Sequence, residues 1–192
     1  VDTAIKPLLN HGIIPDFFVI GDGKKPTELM DHPMVSQIPL VTCNIVAKGI
    51  MDLHTGKKFF YSSDNPLEDL IYKEVRKKTG KMQYLFPQGL ATGGSVANSA
   101  FALANYMNAS EIIFVGQDLA LTNNKTHADG TFQEKMNNLT DAERSETFLV
   151  DGIRGNKVYT RVDFDRYRKW FEDFIKDGKM KKTLLDSGWF AL

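Results

Sequence analysis

The sequence predicts an α/β protein of Rossmann-like, three-layer type: a mostly parallel sheet with helices on its faces. Three observations carry that expectation. Short apolar runs that read as buried strands alternate with amphipathic helical stretches along the 192 residues. Residues 91 to 118 read as a glycine turn, a small-residue helix and a strand in direct succession. Glycine and polar residues follow the strands at Gly21 to Gly23, Asn44 and Gly116 to Asp118, the positions where open parallel sheets gather their ligands.

Taken in order, Ala4, Leu8 and Leu9 recur at helical spacing, and Gly12 followed by Pro15 closes that helix. Phe17 to Ile20 is a first buried strand, Leu40 to Val46 a second, and Lys57 to Tyr61 a third whose shorter apolar stretch suits an edge. Leu67, Leu70, Ile71 and Val75 define an amphipathic helix ending at Gly80. Met82 to Phe86 reads as another strand. The helix after Ser95 is small and apolar nearly all round, as a helix packed closely on a sheet must be, and Ile112 to Val115 reads as a central buried strand. Residues 120–147 form a polar stretch that cannot be core and reads as a lid or insertion. Thr147 to Thr160 reads as a hairpin around Gly152 and Gly155, and Phe164, Tyr167, Phe171, Phe174 and Ile175 mark a closing helix over 161–176.

Length and composition narrow the function. One domain over residues 1–192 is expected, with 42% hydrophobic and 25% charged residues, values that belong to folded chains. The 24 basic residues balance 24 acidic ones, so no global field draws the chain to nucleic acid or to an anionic membrane. No run reaches the roughly 18 apolar residues of a membrane span. The lone Cys43 excludes an internal disulfide framework and a thiolate-rich metal site, which fits a cytoplasmic setting. Val1 entering a helix at once, and the apolar Trp189, Phe190, Ala191, Leu192 at the other end, suggest a piece of something longer.

Chemistry is expected at four places. Thr92, Gly93, Gly94 and Ser95 stand at a helix start, where free amides, the positive end of the helix dipole and nearby hydroxyls suit a phosphate or carboxylate. The same residues also suit an ordinary capped helix after a tight turn. Gln117 and Asp118 follow the strand at 112–115, where Asp118 can position a hydroxyl, hold a metal or cap the next turn. Asp22 has the same range of roles after the first strand, and metal binding stays open because hard cations obey no spacing rule. His127 lies in the polar stretch beyond Asp118, and its imidazole suits proton transfer near neutrality. The remaining histidines, His11, His32 and His54, lack paired zinc-site spacing, and neither a Gly-x-Ser-x-Gly elbow nor a nucleoside-triphosphatase phosphate loop occurs.

The segments ATGGSVANSAFALAN from residue 91 and IIFVGQDLALTNNKTHADG from residue 112 resemble the motility accessory factor family of bacterial flagellin glycosyltransferases. That family's central domain is grouped with 6-hydroxymethylpterin diphosphokinase MptE-like proteins. The resemblance extends to IKPLLNHGIIPDFFVIGD at 5–22 and to VDGIRGNKVYTRVDFDRYRKWFEDFI at 150–175, and is loose over 23–90. The family's first strand and glycine loop would precede residue 1, which implies a central-domain fragment.

The resemblance implies a fold like that of bacterial sialyltransferases, in which a loop at a helix start contacts a CMP-activated donor. It implies transfer of a sialic-acid-like nonulosonic sugar from that CMP-sugar to serine or threonine of flagellin, with no firmly implied cofactor. On this reading Thr92, Gly93, Gly94, Ser95 and Asn98 face the donor, with Asp22, Asn44 and Gln117 also toward the nucleotide, while Asp118 and His127 handle the proton. Ser95 stands two places after the position where the family loop carries its serine. The enzymatic alternative is pyrophosphate transfer from ATP to 6-hydroxymethyl-dihydropterin, which would need magnesium and carboxylates such as Asp22 and Asp118. The non-enzymatic alternative is a binding or scaffolding module.

Overall fold

The computed structural model describes residues 1–62, 66–80, 89–121, 125–127, 131, 140–152, 155–177 and 183–185. They fall into two compact units, Val1–Thr92 and Gly93–Leu192, each described by itself. The expected strand at 82–86, most of the polar stretch at 120–147 and the apolar end at 189–192 lie outside the described residues.

In the first unit, strands β1 (Phe18–Ile20), β2 (Leu40–Thr42) and β3 (Lys58–Phe60) form a parallel sheet in that order, with Phe18 opposite Leu40 and Leu40 opposite Lys58. Every residue of β1 and β2 is buried, whereas β3 is only partly so, which matches the edge position expected from its shorter apolar run. Helices α1 (Ile5–Asn10), α2 (Lys48–Leu53) and α3 (Pro66–Thr79) flank this sheet, and Ile5, Leu9 and Ile50 are buried from the first two. Gly12 ends α1 with a φ of +73°, and the amides of Gly12 and Ile13 donate to the carbonyls of Leu9 and Leu8, so the C-terminal glycine is where the sequence puts it. His54 is a core residue: its Nε2 lies 2.8 Å from the Ile38 carbonyl and its ring is packed near Phe18.

Helix α3 forms where its apolar positions predict it and ends at Gly80, whose φ is +64°. Its apolar stripe of Leu67, Leu70, Ile71 and Val75 is exposed, and among its described side chains the buried one is Glu68, which accepts a hydrogen bond from the Ser62 hydroxyl at 3.4 Å. Hydropathy periodicity locates a helix and its apolar side; it does not say which side the rest of the chain covers.

The second unit holds α4 (Val96–Tyr106), β4 (Ile112–Phe114), α5 (Asp141–Ser145), the antiparallel pair β5 (Thr147–Asp151) and β6 (Lys157–Arg161), α6 (Val162–Lys176) and β7 (Thr183–Leu185). Strand β4 pairs in parallel with β7. The hairpin forms in the predicted span, with Leu149 opposite Tyr159, and Gly155 turns at φ +77°. An aromatic core joins α4, β4 and α6: Phe101 lies 5.1 Å from Phe114 and 5.3 Å from Phe171, and Trp170, Phe174 and Ile175 pack around them. Here too the sequence overstates burial. Ile113 is 55% and Val115 82% exposed, so β4 is not buried on both faces, and among the described residues the α4–α6 aromatics cover its Phe114 side.

Candidate functional site

The loop before α4 is built by three sets of contacts. Ser95 has extended backbone angles and caps the helix: its Oγ accepts from the Asn98 amide (3.2 Å) and donates to Asn98 Oδ1 (2.7 Å), while the Ser95 amide donates to the same Oδ1 (3.2 Å). Asn98 is fully buried, and its Nδ2 donates to the Tyr167 carbonyl at 3.4 Å, tying the cap to α6. The two glycines lie directly over aromatic rings of α6. A Cβ on Gly93 would come within 2.5 Å of Trp170 and 2.6 Å of Asn98, and one on Gly94, whose φ is +97°, within 3.0 Å of Tyr167. Only glycine allows this approach.

What the loop can do follows from that framework. The cap satisfies the Asn98 amide, and the Ser99 amide reaches the Ser95 carbonyl at 3.3 Å, whereas among the described residues the amides of Val96 and Ala97 have no acceptor. Two amides at the positive end of an eleven-residue helix are thus available to an anion, held rigid by the packing behind them. Thr92, exposed, is the last residue of the first unit, so it precedes this loop in sequence.

Asp118 sits where β4 leaves the sheet. Gly116 and then Leu119 take left-handed backbone angles, φ +66° and +51°; for a leucine this is a strained conformation. The turn is fixed from behind: the Thr160 hydroxyl donates to the Leu119 carbonyl (2.8 Å) and the Leu121 amide to the Tyr159 carbonyl (2.8 Å), so residues 119–121 run beside β6. Between this turn, the hairpin and α6 lies a cavity of about 210 Å³ to which Asp118, Asp151, Thr160 and Arg168 contribute polar groups. Gln117 and Asp118 are half-buried. His127 is half-buried too, and its Nδ1 lies 3.0 Å from the Thr126 hydroxyl.

Arg168 is the residue that the sequence reading passed over. Its Nε and one Nη bond to Asp165 Oδ1, at 3.2 and 2.7 Å, and its other Nη bonds to Glu172. Burial would lower the guanidinium's proton affinity, yet Asp165 and Glu172 raise it. Burial likewise works against the Asp165 carboxylate, but Lys169 and Arg168 outweigh it and hold its pKa below the usual range. The spacing of Asp165, Arg168 and Glu172, three and four residues apart on one helix, is a signal that could have marked this clamp.

The other two site residues of the first unit, Asp22 and Asn44, are placed differently. Asp22 is half-buried and its Oδ1 accepts from the Lys24 amide (2.8 Å), while its carbonyl accepts from the Ala47 amide (3.2 Å), joining the loop after β1 to the loop after β2. Asn44 is exposed. Behind them, burial pushes the Cys43 thiol pKa up, and Cys43 and Tyr61 press on Gly21, where a Cβ would meet the Tyr61 hydroxyl at 2.7 Å. Lys25 forms an ion pair with the buried Asp2 (3.0 Å). Among the described residues, no three His, Cys, Asp or Glu side chains gather as a metal-ligand group, and no helix is long and apolar enough to cross a membrane.

Comparison with known proteins adds a family and a fold. The family described as 6-hydroxymethylpterin diphosphokinase MptE-like matches residues 1–124. Two uncharacterized proteins of Treponema pallidum (strain Nichols) are similar: one is 40% identical over 58 residues, 30% of this chain and 15% of that relative, and the other 27% identical over 93 residues, 42% of this chain and 33% of that relative. Among solved structures, the chain is similar to the MAf glycosyltransferase from Magnetospirillum magneticum AMB-1, with a TM-score of 0.66 and 18% identity. That match covers 97% of this chain and 27% of the glycosyltransferase, so the chain spans about a quarter of its structural relative. At this identity the likeness is one of fold.

Proposed function

The chain belongs to the 6-hydroxymethylpterin diphosphokinase MptE-like family, and from that premise we propose that it is the glycosyltransferase domain of a motility-associated protein. It transfers a nonulosonic, sialic-acid-like sugar from a CMP-activated donor to serine or threonine of flagellin in the cytoplasm. The observation that carries this reading is the capped loop at Gly93–Ser95, packed on Tyr167 and Trp170, with the Val96 and Ala97 amides available to an anion. The fold shared with a MAf glycosyltransferase supports it.

In this reading the donor's phosphate lies against the start of α4, with Gln117 toward the nucleotide. The bond between the anomeric carbon and the phosphate oxygen breaks, CMP leaves with the bonding electron pair, and the acceptor hydroxyl oxygen attacks the anomeric carbon. The leaving phosphate is already a weak base, so amide hydrogen bonds serve it better than a general acid. The hydroxyl proton passes to His127 or Asp118. Asn98, which the resemblance sets toward the donor, is buried beneath the loop and donates to the Tyr167 carbonyl, so in this reading its part is to hold the amides in place. A fold like that of bacterial sialyltransferases is part of the same proposal.

The family's own description favours a second reading, pyrophosphate transfer from ATP to a hydroxymethylpterin. There magnesium would bridge the phosphates and a carboxylate such as Asp118. Calorimetric titration of the 192-residue chain with CMP, and separately with ATP, each with and without magnesium, separates the readings. Metal-independent CMP binding supports glycosyl transfer, and magnesium-dependent ATP binding in its place overturns it. Silence from both leaves the binding-module alternative.

A further inference from the structure

We infer that the outer edge of β5 is a docking edge for an extended polypeptide segment, which adds to the hairpin as a third strand beside the cavity that Asp118 lines. The register decides which backbone groups face outward. In an antiparallel pair, residues that bond across the pair alternate with residues whose N–H and C=O point away from it. The Gly152 amide donates to the Asn156 carbonyl at 2.8 Å, so Val150–Val158 and Phe148–Thr160, two and four steps on, are bonded pairs as well. Leu149–Tyr159 is then a non-bonded pair, and the Tyr159 carbonyl agrees, because it accepts from the Leu121 amide on the far side of β6. The same alternation turns the N–H and C=O of Leu149 outward along the free side of β5, with those of Thr147 and Asp151.

The two edges of the hairpin differ in what they meet. Residues 119–121 run beside β6 and use its outer edge, whereas among the described residues no partner meets the Leu149 amide or carbonyl on the β5 side. Proteins blunt an open edge with a lysine, a proline or a bulge. Strand β5 reads Thr-Phe-Leu-Val-Asp, with neither lysine nor proline, and its register with β6 runs without a bulge. A row of outward donors and acceptors at strand spacing matches the backbone of an extended peptide. The one charged residue of β5, Asp151, is paired with Lys157 at 2.6 Å, so an uncharged segment leaves no charge unmet. Side-chain alternation sets what that segment carries. Leu149 and Tyr159 share one face of the hairpin and are both exposed, so the partner residue opposite Leu149 gains most by being apolar. Val150, Val158 and Thr160 share the other face and line the cavity with Asp118. The partner residue opposite Val150, one place along, therefore lies on the cavity's face.

That this residue is the acceptor serine or threonine rests on the glycosyl-transfer reading; strand addition itself does not. The test is backbone amide NMR on the full 192-residue chain, titrated with the peptide acetyl-Gly-Thr-Val-Thr-Val-Thr-Gly-amide and with the same peptide N-methylated at every backbone nitrogen, which keeps the side chains and cannot donate to β5. At saturation with the first peptide the Leu149 amide should exchange with solvent at least about tenfold more slowly, and the N-methylated peptide should bind at least about tenfold more weakly, equivalent to about 1.4 kcal/mol. Leu149→Lys, which guards the edge, should weaken binding by a similar factor; circular dichroism checks that it is folded, and if it is not, the N-methylated peptide carries the test on the wild type. Equal binding of the N-methylated peptide, unchanged exchange at Leu149, or no binding of either peptide would each overturn the inference. So would slow exchange at Leu149 in the free chain that grows with protein concentration, which puts a second copy on the edge. Peptide binding without CMP binding leaves the docking edge standing and counts against the glycosyl-transfer reading, whereas CMP binding without peptide binding sinks the edge alone.

Discussion

The chain has two glycine loops that look alike in sequence and are held in different ways. Gly21–Asp22–Gly23 is stabilised by its own Asx turn and by the loop after β2, and its glycines are pressed by the Tyr61 hydroxyl and the Ile45 carbonyl. Gly93–Gly94–Ser95 is fixed by a capping box and by two aromatic rings some seventy-five residues away in sequence. In the first, the aspartate side chain serves the turn itself. In the second, the cap serves the helix and leaves two amides over. Glycine-rich sequence is therefore not one signal: what matters is whether the backbone polar groups are spent inside the loop.

If the second loop depends on aromatic contact, Gly93→Ala should be the most damaging change. Its methyl group would overlap both Trp170 and Asn98, and neither can retreat, because Asn98 is buried in the cap and Trp170 packs on the Phe101–Phe171 core. Chemical denaturation should show a loss of about 3 kcal/mol, the upper end of ordinary overpacking. Gly21→Ala should cost less, about 2 kcal/mol, since the overlap is with one hydroxyl and the Cys43 Sγ, at 3.3 Å, need give only a little. Adding Tyr61→Phe removes that oxygen, and the double variant should recover part of the loss. A strictly additive pair would show that Tyr61 is not what confines Gly21.

Ser95→Ala probes the cap more gently. It should cost about 1 kcal/mol of stability and also weaken CMP binding, because the amides of α4 lose their anchor. Smaller still is the effect of Asp165→Asn, below about 1 kcal/mol near neutral pH. Lys169 and Arg168 hold the folded carboxylate below its usual pKa, so its contribution is present above the unfolded-state value of about 3.9 and is lost as pH falls through the folded-state value. Urea unfolding curves of wild type and variant should therefore differ at pH 7 and converge once the pH is below both values.

Local features were legible in the sequence, and features that depend on distant partners were not. Gly12 as a helix end, Ser95 at the start of α4 and the hairpin around Gly155 each follow from a few neighbouring residues, and the structure places all three as read. The exposure of the Leu67–Val75 stripe and of Ile113 and Val115 could not be read, because hydropathy reports what a surface is and not what covers it. Gly93 lying on Trp170 is a non-local contact with no trace in either segment alone. Arg168 was legible only in hindsight: its two carboxylates sit at helical spacing, but that pattern also marks ordinary surface pairs. The cavity beside Asp118 depends on the turn, the hairpin and α6 together, so only the folded unit could reveal it.

The most direct test of the account is a titration of the isotopically labelled chain with CMP, without magnesium, followed by backbone amide NMR. Saturable shifts of the Gly94, Ser95, Val96 and Ala97 amides, lost in Ser95→Ala, are expected if this loop holds the donor. Unmoved amides at the start of α4, or movement only with magnesium and ATP, would contradict it.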